Sequence, residues 1–396
     1  MMKARAFRVL CLKTIGLVLA ALALLAVTAV LAFAVELQHP DRDTLVEDRL
    51  LSPKAKADVR ALVAMTGKPS PMRAAQRAQE LLQAGRRTGD PRTLGYAQAA
   101  LGDWWGDRNA PIEVRVMQAT IEQARHDFDA ARTTLKGVLH EDPDHPQGWL
   151  TLAAVDLVQG RLEDARNDCA GLVHTDLVTQ MICLAQVDAA EGKLDQARVL
   201  LGRLTQAGPP ALLATANSLL SETEARAGNW HEAEAAARKS LQQDEDHYTR
   251  VLLADVLLAE KRPADARRAL ESAPPTDAVL LRRAIANPDD DIGRAAANEL
   301  RDRVAIALAR GDTVHQRERA MFSLDVEHDD KTALQMAQEN WKRQREPVDA
   351  WLLARAALVN HNDALLDEVR AWQRHSGVVD ARLNSVLKGK HNAHLA

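Results

Sequence analysis

Apolar positions form one continuous run near the amino terminus and a broken, helical pattern after it. From Ile15 to Val35 the chain carries 21 residues without a charge. Further along, apolar stretches of helical spacing are separated by short turns that contain Gly, Pro or Asp. Periodic apolar positions that end at such residues predict helices rather than strands. The pattern therefore predicts an all-α protein that begins with one long apolar segment.

A short pattern recurs five times along the middle of the chain. In its clearest copies a helix-ending Gly is followed by a large apolar residue and then by Ala, as in Gly160, Leu162 and Ala165. Gly enters the left-handed cap without a steric cost, and the Ala lets the second helix approach the first closely. The aligned alanines recur at intervals of 34, 32, 36 and 33 residues. They are Ala131, Ala165, Ala197, Ala233 and Ala266.

The chain resembles the tetratricopeptide repeat family, whose period is about 34 residues. The resemblance is clearest over residues 112–273, and Trp149, Leu152 and Ala153 give the best copy of the pattern in the first helix of a unit. It implies a right-handed superhelix of antiparallel helical hairpins with a concave binding surface. A narrower resemblance, to exported bacterial tetratricopeptide proteins of unassigned activity, rests on Leu94–Leu101 with Trp104 and Trp105, Gln123–Phe128, Val314–Arg319 and Asn340–Pro347.

Helical patterns continue on both sides of the clearest repeats. They predict helices at residues 70–87, 90–105, 313–327, 331–343, 348–360, 363–375 and 379–387. The chain is therefore expected to divide into five segments. These are a basic cytoplasmic segment at 1–14, a transmembrane anchor at 15–35, a linker at 36–69, a helical repeat domain at 70–387 and a tail at 388–396.

The amino-terminal apolar run predicts the location of the protein. At about 1.5 Å per residue, the run from Ile15 to Val35 reaches across the roughly 30 Å of a bilayer core. Basic residues stay on the cytoplasmic side of such a helix, which predicts a single-pass inner-membrane protein whose repeats face the periplasm or cell exterior. A cleaved signal peptide is the alternative, because Ala32 to Ala34 fit a cleavage site. The basic residues before the run are Lys3, Arg5, Arg8 and Lys13.

Two cysteines fall in neighbouring units of the repeat. Cys169 lies in the second helix of one unit, and Cys183 lies in the first helix of the next. Adjacent helices of neighbouring units pack together, and an exported chain meets oxidising conditions. The positions predict a disulfide. Two buried thiols, or a zinc site that includes His174, are the alternatives.

Polar residues on the first helices predict a partner-binding groove. The formal net charge is −4, without the basic surface of a nucleic-acid-binding protein. The groove is polar and mildly acidic, which favours a protein or an extended peptide as partner. Its candidate residues are Gln123, Gln147, Leu150, Gln186, Ser218, Glu222, Arg226, Tyr248 and Asp255.

The sequence carries no motif of a known catalytic or cofactor site. Phosphate-binding, dinucleotide-binding, zinc-protease and hydrolase motifs do not occur. Residues 140–145 include metal-ligand types, but they fall on a turn between repeats. We therefore expect no enzyme, cofactor or metal, and a membrane-anchored scaffold that binds a protein or peptide. The alternative is an accessory subunit in secretion or maturation of an exported polymer or cytochrome.

A column of acidic and Arg residues follows the repeat. Asp156 and Arg166 belong to one hairpin, and Asp188 and Arg198 to the next. One hypothesis pairs acid and Arg within each hairpin and so sets the register of its helices. The other hypothesis is a solvated face.

Overall fold

The computed structural model describes residue 57 and residues 70–88, 92–309 and 315–389. The described residues form nineteen α-helices and no strand, which confirms the all-α fold. The helices are α1 Pro71–Thr88, α2 Thr93–Leu101, α3 Ile112–Ala124, α4 Phe128–Glu141, α5 Pro146–Val158, α6 Leu162–Ala170, α7 Leu177–Ala190, α8 Leu194–Ala207, α9 Pro210–Ala227, α10 Trp230–Gln243, α11 His247–Ala259, α12 Pro263–Leu270, α13 Asp277–Ala286, α14 Asp291–Ala309, α15 Gln316–Phe322, α16 Asp330–Trp341, α17 Pro347–Val359, α18 Asp363–Ser376 and α19 Ala381–Leu387.

The expected membrane segment cannot be compared with this structure. Residues 1–14, the anchor at 15–35 and, apart from residue 57, the linker at 36–69 lie outside the described residues. The same holds for all but the first two residues of the expected tail, 388–396. Among the helices that the structure describes, none combines the length and the apolar character needed to cross a bilayer.

Local capping explains where the helices of a unit begin and end. Helix α5 starts at Pro146, and the His145 Nδ1 atom accepts a hydrogen bond from the Gly148 amide at 3.0 Å. It ends before Gly160, whose φ of 72° is left-handed. The following amide, of Arg161, then donates to the carbonyl of Asp156 at 2.8 Å. This bond satisfies a carbonyl at the end of the helix and turns the chain into α6.

Consecutive helices pair into antiparallel hairpins, and the hairpins stack. The repeat alanines, such as Ala165 and Ala197, are fully buried at the helix contacts. From α3 to α17, the first helix of each hairpin also contacts the first helix of the next one. First helices therefore line the inner, concave face of the stack, as in a superhelix of helical hairpins.

The carboxyl-terminal helices return to the middle of the stack. We call residues 345–382 the C-terminal segment. The Arg345 amide donates to the carbonyl of Val158 at 2.8 Å. A Cβ atom built on Gly192 would clash with the Gly377 carbonyl oxygen, and helix α9 contacts helix α19. The C-terminal segment therefore covers the concave face of α5, α7 and α9.

The acid–Arg column joins neighbouring hairpins, so the expected pairing within a hairpin is wrong. Successive residues of an α-helix are turned by about 100°. Ala131 faces the helix of its own hairpin, and Arg132 is consequently turned toward the next one. The pairs are Arg132 Nε with Asp156 Oδ1 at 2.8 Å, Arg166 Nη2 with Asp188 Oδ1 at 2.6 Å, and Arg198 Nε with Glu224 Oε1 at 2.8 Å.

Candidate functional site

A cavity of about 290 Å³ lies between the concave face and the C-terminal segment. The first helices α5, α7, α9 and α11 form one side, and the C-terminal segment forms the other. From the repeats it is lined by residues that include Leu157, Val158, Gln186, Leu219, Glu222, Arg226 and Tyr248. From the C-terminal segment it is lined by Arg345, Glu346, Pro347, Trp372, Ser376 and Val378.

Three polar side chains form one connected group in the cavity wall. Glu222 and Arg226 are one turn apart on α9, which places them on the same face. Arg226 Nη2 donates to Glu222 Oε1 at 2.6 Å, and the Tyr248 hydroxyl donates to Glu222 Oε2 at 3.2 Å. The Arg226 side chain is only 11% exposed, whereas Tyr248 is 57% exposed. Tyr248 therefore presents its ring to the open space beside a partly buried ion pair.

The Tyr248 hydroxyl lies beside a carboxylate that disfavours its ionisation. The charge of Glu222 raises the pKa of Tyr248 well above its usual value of 10, and Glu346 adds to the effect. Arg226 opposes the shift without cancelling it. The phenol therefore stays protonated and acts as a hydrogen-bond donor to Glu222.

The C-terminal segment adds an acidic residue and an aromatic wall. Glu346 accepts from Arg317 Nη2 and, through its side chain, caps the start of α17. Trp372 lines the cavity and packs edge-on against Trp341, with 4.9 Å between ring centroids. The Arg345 guanidinium lies over the Trp341 ring at 5.6 Å. These contacts hold the cavity's second side in place.

The cavity brings together four of the nine predicted groove residues, Gln186, Glu222, Arg226 and Tyr248. Asp255 accepts two hydrogen bonds from the Arg282 guanidinium, at 2.8 and 2.9 Å. Asp255 and the other four residues lie apart from the cavity.

Two of those four contribute to packing between hairpins. Ser218 is buried, and its hydroxyl accepts from Thr249 Oγ1 at 2.8 Å. Leu150 packs against the core cluster that contains both cysteines. Gln147 is exposed and donates to Thr151 Oγ1 at 3.0 Å, and Gln123 is partly buried.

Sequence reasoning missed every cavity residue of the C-terminal segment. The repeat period relates positions in adjacent hairpins, and it carries no information about which distant hairpins meet. For that reason the pattern places Pro347 and Trp372 only at the end of the stack. The one local signal in the sequence is the recurrence of glycine at the turns of three consecutive hairpins. These residues are Gly160, Gly192 and Gly228, and in the structure each lies close to the C-terminal segment.

The structure joins Cys169 and Cys183 in a disulfide with 5.6 Å between the Cα atoms. The bridge connects α6 with α7 and therefore links two neighbouring hairpins. Both sulfur atoms are occupied by this bond and are not zinc ligands here. Across the described residues, no group of three or more His, Cys, Asp or Glu side chains is placed to hold a metal ion.

Comparison with known proteins agrees with the repeat pattern. Residues 123–174 match the family model described as tetratricopeptide repeat. No protein with a curated description matches the chain.

Solved structures that match the chain include two bacterial proteins. A thermophilic tetratricopeptide repeat protein of Thermus thermophilus has 22% identity and a TM-score of 0.37, over 50% of this chain and 98% of its own. Pseudomonas aeruginosa pilF has 15% identity and a TM-score of 0.38, over 51% and 96% of the two chains. The Cut9–Hcn1 structure of the APC/C gives 13% identity and a TM-score of 0.47, over 88% and 69%.

The stacked hairpins of the described residues define a helical-repeat fold. The recurring Gly–apolar–Ala turn, the buried alanines and the matched residues 123–174 identify the class more closely. Residues 123–174 match the tetratricopeptide repeat family, and the described residues form a helical repeat of this type, which indicates a protein-interaction scaffold.

Proposed function

We propose that the protein is a membrane-anchored scaffold that binds a protein or peptide partner outside the cytoplasm. The observation that carries the proposal is the cavity on the concave face, where polar groups of α9 and α11 stay accessible beside the C-terminal segment. Tyr248 is the most exposed of these groups. The C-terminal segment occupies the face of α5, α7 and α9, so an extended peptide has no continuous groove there. The partner therefore inserts a short protruding element into the cavity.

Site-specific crosslinking tests the binding site. A photoreactive phenylalanine derivative at Tyr248 is expected to capture the partner in intact cells. The same derivative at Val199, which is 54% exposed on the second helix α8, serves as the matched control. Equal capture from both positions, or capture from position 199 alone, would place the partner elsewhere on the surface.

The proposed location rests on the basic residues before the apolar run and has its own test. A reporter that is active only in an exported compartment, fused to the carboxyl terminus, is expected to be active. Activity of a cytoplasm-specific reporter at that position would contradict the proposed topology. Mass analysis of the mature amino terminus distinguishes an anchor from a signal peptide, because cleavage after Ala34 leaves Val35 as the first residue.

A further inference from the structure

The cavity combines apolar walls with one acidic end. Most of its lining residues are apolar, and Leu157, Val158, Leu219 and Trp372 are only partly buried although they face the interior. Partly exposed apolar surface inside a concave site is typical of a ligand pocket. The side chain of Glu222 is 27% exposed at the polar end of the cavity.

The cavity volume limits what can enter. An engineered cavity of about 150 Å³ accommodates a benzene molecule, and ligand pockets for whole drug-sized molecules begin at roughly 300 Å³. At about 290 Å³, this cavity fits one long side chain or a molecule of that size. It does not fit an extended peptide segment.

The buried guanidinium of Arg226 does not offer an anchor for an anion. Its Nη2 atom is held by Glu222 Oε1 at 2.6 Å, and its Nη1 atom has no hydrogen-bond partner among the described residues but is buried beneath the cavity surface. Neither terminal nitrogen is presented to the open space. Arg345, the other cation of the lining, stacks over Trp341.

The carboxylate of Glu222 still has capacity for a cation. An ionised carboxylate has about four lone-pair sites, and Glu222 uses one on each oxygen, for Arg226 and Tyr248. Glu346 lies on the opposite side of the cavity with its side chain 31% exposed. The Tyr248 ring supplies an aromatic face, which attracts cations. Glu346 is already paired with Arg317, so the free acceptor sites of Glu222 and the Tyr248 ring are the groups that favour a positively charged ligand.

We propose that the cavity binds a primary alkylammonium group, whose apolar stem packs against Leu157, Leu219 and Trp372 and whose charge pairs with Glu222. The proposal rests on the proposed function and names the chemistry of the group that the partner inserts. A lysine side chain of the partner and a free alkylamine share this chemistry.

Binding of small probes to the full chain in lipid nanodiscs, measured by calorimetry, tests the proposal. Nα-acetyl-lysine methylamide presents the ammonium group, and the norleucine derivative has the same stem without the charge. The lysine derivative is expected to bind about tenfold more tightly, because a charge-assisted pair adds to the same apolar contact. The glutamate derivative is expected to bind most weakly. Added salt should weaken only the lysine derivative.

Variants assign the effect to one carboxylate. Glu222→Gln is expected to reduce the affinity for the lysine derivative to that of the norleucine derivative. Glu260→Gln, at the end of α11 and outside the cavity lining, is the control and should change neither affinity. Tighter binding of the glutamate derivative, equal binding of all three derivatives, or failure of every amine probe to bind the unmodified protein would overturn the proposal, and none of these outcomes needs a variant.

Two further results separate a free amine from a partner's side chain as the ligand, and the ammonium site from the scaffold function. If n-butylamine binds and the lysine derivative does not, the site takes a free amine. If the lysine derivative binds more tightly than n-butylamine, the site takes a partner's side chain. Crosslinking of a partner at position 248 together with failure of every amine probe would leave the scaffold function intact and reject the ammonium site.

Discussion

In the acid–Arg column, a step of one residue along a helix decides which hairpin supplies the partner of the Arg side chain. The sequence places Asp156 and Arg166 in one hairpin, but the structure pairs Asp156 with Arg132 of the preceding hairpin. The Ala before each Arg faces inward, so the Arg side chain points to the neighbouring hairpin. The periodic column could be recognised from the sequence. The pairing could not, because it depends on the angle at which hairpins stack.

A double-mutant cycle measures this pairing. Asp156 is fully buried and also pairs with Arg161 at 2.7 Å, so Arg132→Ala should destabilise the fold by less than the about 3–5 kcal/mol of a buried charge left without any partner, and Asp156→Ala should also destabilise it. Their effects should couple by about 1–3 kcal/mol in urea unfolding. Asp156→Ala with Arg166→Ala is the control, and its effects should add. Coupling in the control cycle only would support pairing within the hairpin.

A second residue-scale prediction concerns pH. Burial raises the pKa of Asp168 to about 8, and the neighbouring Asp156 carboxylate adds to the shift. The folded protein then holds a proton that the unfolded chain releases near pH 3.8. The protonated Asp168 carboxyl therefore makes its full contribution to the unfolding free energy below pH 3.8. This contribution is lost as the pH rises to about 8.

Asp168→Asn removes this titration. The variant is expected to be more stable than the unmodified protein at pH 9 and to show a flatter dependence of unfolding free energy between pH 5 and 9. Asp195→Asn, at a position that is 96% exposed, should leave the pH dependence unchanged. An equally steep pH dependence in Asp168→Asn would assign it to another group.

At the scale of helices and turns, local signals predicted much of the structure. The expected helix at 363–375 corresponds to α18, Asp363–Ser376, and that at 379–387 corresponds to α19, Ala381–Leu387. Helix α19 starts later because the Asp380 side chain accepts hydrogen bonds from the first amides of the helix. Gly, Asp and Pro fix the ends of helices through local contacts, so these ends can be predicted from the sequence without knowledge of tertiary contacts.

The disulfide gives a prediction for a pair of helices. Cys169 and Cys183 are 14 residues apart, and a loop of about that length is worth roughly 3 kcal/mol in the chain-entropy model. Reduction should lower the unfolding free energy by an amount of that order. Cys183→Ala, already without the bridge, should be insensitive to the reductant. Labelling of both cysteines in unreduced, unfolded protein would show that the bridge is absent.

Closure of the stack gives another prediction at this scale. Gly192 and Gly106 have nearly the same φ, 78° and 79°. A Cβ atom on Gly192 would meet the Gly377 carbonyl, whereas one on Gly106 meets nothing within 4 Å. Gly106→Ala should cost about 1–2 kcal/mol for its backbone alone, and Gly192→Ala about 1–3 kcal/mol more for overpacking. Equal thermal destabilisation of the two variants would argue against this contact.

At the scale of the whole repeat stack, the sequence could not predict the candidate site. A repeat stack is ordinarily stabilised by contacts between neighbouring units alone. Here α9 also contacts α19, so the cavity needs hairpins from two distant parts of the chain. The inner face at Glu222 and Tyr248 was predicted from the repeat register. Its cover, which includes Trp372, follows only from the way the stack curves.

The hydrogen bond between the Arg345 amide and the Val158 carbonyl has a consequence for biosynthesis. The ribosome adds about 5–20 residues per second, so Arg345 is made roughly 10–40 s after Val158. During that interval the apolar inner surfaces of α5, α7 and α9 are without their cover. Transiently uncovered surface of this kind promotes aggregation. A nascent chain of this protein therefore needs shielding until its last hairpins have emerged.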